Sequence, residues 1–158
     1  MERNEIAEVF RRYEGGSEPQ ILDEWLDDWL RPFCDDPNIY STLAAPVRHF
    51  FAAREVQYQV GNGGFAQAAH NVPGLLNDAR DCQIAIGNDG AADLIARAID
   101  LVKQGASQFE SKEIGALFTE FTESEFTKLD AELDAVNWWS VAERVRYAAS
   151  HKACFLDL

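Results

Sequence analysis

Gln59-Val60-Gly61-Asn62-Gly63-Gly64-Phe65-Ala66-Gln67, with Asn71 four residues further on, decides how the whole chain reads. Three glycines and an asparagine within four positions make the densest break in the sequence. Glycine takes positive φ at no steric cost and asparagine tolerates it, so the chain can turn tightly here, and Phe65 can anchor the outgoing segment in a core. Upstream, Val47, Phe50, Phe51, Arg54 and Tyr58 recur at helical spacing from Pro46. Downstream, a short helix fits Phe65 to about Asn71 and is broken by Pro73-Gly74.

Outward from the break the pattern stays helical. Ile6, Val9, Phe10 and Tyr13 form a stripe stopped by Gly15-Gly16, and Ser17-Glu18-Pro19-Gln20 reads as a capping box. Ile21, Leu22, Trp25, Leu26 and Trp29 are then the expected buried stripe, with Pro32 closing that helix and an irregular stretch to Ala45. Leu75, Leu76, Ala79, Cys82 and Ile86 predict a helix ended by Gly87. Another starts at Asp89, with Leu94, Ile95, Ala98, Ile99 and Val102 inside and Gly105 beyond its end. Two closing helices fit Phe126-Leu129-Leu133-Val136 and Val141-Ala142-Val145-Ala148-Ala149. The expected fold is all-α: a single compact domain over residues 1–158 with about eight helices, residues 1–45 leading into a helical core at 46–158.

Composition supports a packed chain. At 158 residues with 47% apolar residues, it can bury about 70% of its unfolded surface. No apolar run approaches the ~20 residues of a membrane span. The charged N-terminus does not read as a signal peptide, and three widely spaced cysteines fit reduced thiols, so a cytoplasmic location is expected. Charge is the extreme feature, at −13 from 27 acids and 14 bases. Residues 1–33 hold nine acids and four bases, and residues 107–140 hold eight and two. Direct nucleic-acid binding is disfavoured, because phosphates need cationic partners. A basic partner suits a concentrated negative field.

Enzymatic motifs fail on context. Gly61-Asn62-Gly63-Gly64-Phe65-Ala66 fits the loose dinucleotide fingerprint, but no second β-rich segment exists to build the parallel sheet it needs. His49, His70 and His151 are isolated, so neither a metal nor another cofactor is expected. A small ligand held by Asn62, Gln67 and Asn71 is the sharper reading of the break. The plainer one makes Asn62 a helix cap and gives Gln67 and Asn71 to backbone groups.

The acidic faces carry the stronger case. Asp23/Asp27 and Glu24/Asp28 are i, i+4 carboxylate pairs about 6 Å apart in rise. Like charges at that spacing cost a few tenths of a kcal/mol each, so the arrangement opposes the helix's own stability. Glu110, Glu113, Glu120, Glu123, Glu125, Asp130, Glu132 and Asp134 form the second set, with Phe118, Phe121, Trp138 and Trp139 among them. One of two adjacent tryptophans must point away from any single helix face and is a candidate interface anchor.

Val60, Asn62, Gly63, Gly64, Phe65, Gln67 and Asn71 resemble the signature of the DNA mimic protein 19-like family, and the Ala-rich helices and Phe126-Leu129-Asp130-Leu133 are similar to that family's later helices. Gln59 stands where the family usually has Glu, and Ala68-Ala69 replace a usual aromatic pair. The resemblance implies an all-α fold, often dimeric, and an acidic surface that imitates DNA and occupies a basic DNA-binding protein. Residues 62–65, 67 and 71 read as a structural corner, since helix corners commonly need this chemistry. The expectation is a non-enzymatic binding protein using the two acidic sets. An immunity-type inhibitor of a basic nuclease, or a small-ligand protein using the corner, are the alternatives.

Overall fold

The computed structural model describes the backbone of residues 3–109 and 121–158, and the side chains of residues 4–104 and 125–158. The described residues contain helices and turns and no strand, so the chain is all-α. The elements are α1 (Arg3–Glu14), α2 (Pro19–Cys34), α3 (Pro37–Tyr40), α4 (Ala45–Asn71), α5 (Leu76–Ala85), α6 (Asp89–Phe109), α7 (Phe121–Asp130), α8 (Val141–Ser150) and α9 (Lys152–Leu156). Single 3₁₀ turns occupy Pro73–Leu75 and Leu133–Ala135.

Two compact units emerge, residues 1–51 with 140–158, and residues 52–139. In the first, α2 packs against α1 and α8, and α9 packs against α1 and α8. Phe155 centres this core, meeting Phe10 and Phe50 edge-on with centroids 5.9 Å apart in each case. In the second, α5, α6 and α7 pack in sequence. Their core holds Val56, Val60, Phe65, Leu76, Leu94, Ile95, Phe126, Leu129 and Trp138.

Several expectations shift in register. Helix α2 starts at Pro19 with Glu18 as its N-cap and no side-chain cap, so the Ser17 capping box does not form. It continues through Pro32 to Cys34, because that proline lies on the exposed side of the last turn, where one lost main-chain bond is cheap. Asp36 caps the short α3 by accepting from the Asn38 amide at 2.8 Å, inside the stretch expected to be irregular. Helix α6 passes Gly105 and is described as far as Phe109. Helix α7 stops at Asp130, and Leu133 and Val136 reach the second core from a 3₁₀ turn and the loop after it.

The largest correction concerns the buried face of α2. Leu22, Leu26, Trp29 and Leu30 are buried as expected, but Ile21 and Trp25 are 46% and 42% exposed. Asp23 and Asp27 are buried in their place. Arginine partners make this tolerable, since a buried carboxylate needs a paired cation. Arg144 on α8 donates to Asp23 from Nε at 3.0 Å and Nη2 at 2.7 Å, and its guanidinium lies over the Phe50 ring. Arg31 donates to Asp27 from Nε at 3.3 Å and Nη2 at 3.1 Å.

Candidate functional site

The glycine break lies inside α4 as a kink. Gly63 (φ −160°, ψ 25°) and Gly64 (φ 75°, ψ −176°) leave helical geometry, while the residues on both sides keep it. Gly64 alone of the pair occupies the left-handed region, and a Cβ there would run into the Asp130 carboxylate. That carboxylate sits close for a reason. The Phe65 amide is a first-turn donor of the outgoing segment and donates to Asp130 Oδ1 at 2.8 Å. Asp130 therefore does the capping that was expected of Asn62, which is exposed. Burial raises the Asp130 pKa above the ordinary carboxylate value, and the Phe65 N–H opposes that rise.

Gln67 and Asn71 serve a different acceptor from the one expected. Gln67 Nε2 donates at 2.9 Å and Asn71 Nδ2 at 2.8 Å to the same atom, Gln59 Oε1. Gln59 Nε2 in turn donates to Glu55 Oε1 at 2.8 Å. A single amide oxygen thus ties the incoming part of α4 to the outgoing part across the kink. The sequence marked Gln59 only as a departure from the family's usual Glu and gave it no partner. Its spacing to Glu55, one helical turn earlier, was the available signal.

Beside the kink lies a cleft of about 320 Å³, lined by Val60, Gly61, Leu133, Asp134, Val136, Asn137, Trp138 and Trp139. The two tryptophans divide as expected: Trp138 is buried and Trp139 is 55% exposed. Trp138 stands edge-on to Phe65 at 5.3 Å, and its carbonyl accepts from Gln57 Nε2. The Asn137 carbonyl accepts from Asn88 Nδ2 at 2.7 Å.

The first acidic set does not share one face. Glu24 and Asp28 are exposed, whereas Asp23 and Asp27 are withdrawn into the pairs described above. In the second set, Glu132 receives both Nη groups of Arg97, at 2.7 and 2.6 Å. Those hydrogen bonds hold the Glu132 carboxyl below its usual range and push the Arg97 guanidinium up. Glu125 pairs with Lys128, Asp130 caps Phe65, and Asp134 is exposed at the cleft. Glu110, Glu113, Phe118 and Glu120 lie outside the described residues, as do the side chains of Phe121 and Glu123.

Among the described residues no group of three or more potential metal ligands comes together, and no helix is long and apolar enough to cross a membrane. These features define an acidic, all-helical protein whose Asn-Gly-Gly-Phe kink is tied to the end of α7. A family model described as DMP19-like protein matches residues 41–151, and the chain belongs to that family. No match was found among curated proteins or solved structures.

Proposed function

We propose that this is a non-enzymatic binding protein that offers exposed carboxylates to a basic, DNA-binding protein and competes with DNA for it. The observation that carries the reading is how the chain's own cations are used. Arg11, Arg12, Arg31, Arg80, Arg97, Lys103, Lys128, Arg144 and Lys152 each lie within 4.0 Å of a carboxylate of the same chain. With those cations engaged internally, the net −13 is expressed as surplus carboxylate. Glu18, Glu24, Asp28 and Asp134 are exposed members of that surplus. Glu24 and Asp28 lie one helical turn apart, a spacing that Lys and Arg side chains adapted to phosphates every ~3.4 Å along a strand can meet. The family's name points the same way.

Competition tests it directly. DNA-binding proteins of the source cell are loaded with labelled DNA and titrated with the full chain at rising salt. Displacement that weakens steeply with salt is expected. A complex indifferent to salt, or no displacement at low salt, would sink the proposal; a stoichiometric complex with a nuclease would redirect it to an inhibitor.

A further inference from the structure

We infer that the cleft beside Trp139 seats a cationic side chain, an arginine above all, projecting from the basic partner; this rests on the acidic-binding reading and gives it a location. Trp139 keeps more than half of its surface in solvent, although it lies against α4. It can lie there because position 61 is glycine: a Cβ at Gly61 would stand 2.6 Å from the ring's tip. Tyr58, three residues before Gly61 and so on the same face of the helix, is 57% exposed. Asp134 and Asn137 line the same cleft, and Val136 supplies an apolar wall.

These groups match a guanidinium part by part. Its flat face stacks on an indole and its edge donors reach a carboxylate. Its aliphatic stem lies along an apolar wall. An anionic ligand meets repulsion from Asp134, and an apolar one strips water from that carboxylate with no replacement. The loop is held before any ligand arrives. Gln57 holds the Trp138 carbonyl, Asn88 holds the Asn137 carbonyl, and Trp138 is wedged on Phe65. Little ordering is left to oppose binding.

The test uses the ¹⁵N-labelled full chain and two probes, a short arginine-glycine peptide and its counterpart with citrulline, a neutral isostere, replacing arginine. The indole N–H resonance of Trp139, assigned with W139F, should shift saturably with the arginine peptide and stay still with the citrulline one. Asp134→Asn and Gly61→Ala should each weaken binding about tenfold. Gly61→Ala displaces the ring without removing it and adds a better helix former, so its melting temperature guards against a folding artefact. If the arginine peptide binds while the Trp139 resonance stays still, or both variants bind like the wild type, the cleft assignment falls and the acidic-binding reading stands. If the arginine peptide does not bind at low salt, both fall. If the Trp139 resonance instead moves on dilution of the protein alone, the cleft is covered by a second copy and the assignment is overturned.

Discussion

Three aspartates predicted to face a partner, Asp23, Asp27 and Asp130, are used by the fold itself, and two of them yield a measurable consequence. Asp130 accepts from the Phe65 amide and carries a raised pKa. A carboxyl whose folded pKa exceeds its unfolded value favours the fold most fully when protonated. Its contribution is complete below the unfolded value and is lost as pH rises through the raised one. Asp130→Asn keeps an acceptor for Phe65 and removes the ionisation. Urea titrations from pH 4 to 8 should show this variant gaining on the wild type as pH rises; a pH-independent difference would contradict the assignment. Asp130→Ala loses the acceptor and should cost about 1 kcal/mol. Asp23 is the sharper case, because its ion pair with Arg144 has both side chains only 3% exposed. Arg144→Met leaves the carboxylate buried beside an apolar group. Denaturation should register a loss of about 3–5 kcal/mol at neutral pH, and a loss under 1 kcal/mol would show that the pair is not buried in solution.

At the scale of elements, the sequence shows where helices lie more clearly than which way they face. Gly15-Gly16, Pro19, Pro73-Gly74 and Gly87 mark their boundaries because backbone conformation at those points is local chemistry. Facing is not local. Nothing near Asp23 announces Arg144, 121 positions away, so an aspartate reads as solvent-facing and Trp25 reads as core. The kink was legible as a break, and its function was not. The residue that caps it lies 65 positions downstream, and the relay across it runs through Gln59. Gly64 offers the test at this scale. With φ at 75° and Asp130 where a Cβ would go, Gly64→Ala meets backbone strain and a clash together. A destabilisation of at least about 1–2 kcal/mol is expected from the backbone alone. The same substitution at Gly74, where a Cβ would meet nothing within 4 Å, should be near neutral. Equal melting temperatures for the two variants would refute this reading of the kink.

For the whole molecule, the question is how much of the charge serves stability and how much reaches the surface. Helix α2 separates the two on one element, with Asp23 and Asp27 inside ion pairs and Glu24 and Asp28 in solvent. Neutralising the exposed pair as Glu24→Gln with Asp28→Asn removes an i, i+4 repulsion. Stability should therefore hold or rise by a few tenths of a kcal/mol. Competition with DNA for the basic partner should weaken, and the salt slope should become shallower. Undiminished competition would remove α2 from the binding surface. The sequence announced this surplus through the count and clustering of its acids; it could not say which carboxylates an arginine would claim first.

The tie between Phe65 and Asp130 also has a kinetic meaning. The outgoing part of α4, residues 65–71, spans about two turns, too short to hold its own hydrogen bonds in water. Its first amide finds an acceptor only when the end of α7 has been brought back across 65 positions of chain. The two pieces are therefore expected to open and close as one cooperative unit, with matching amide exchange rates. The most local-looking motif in the sequence then depends on closing 65 positions of chain.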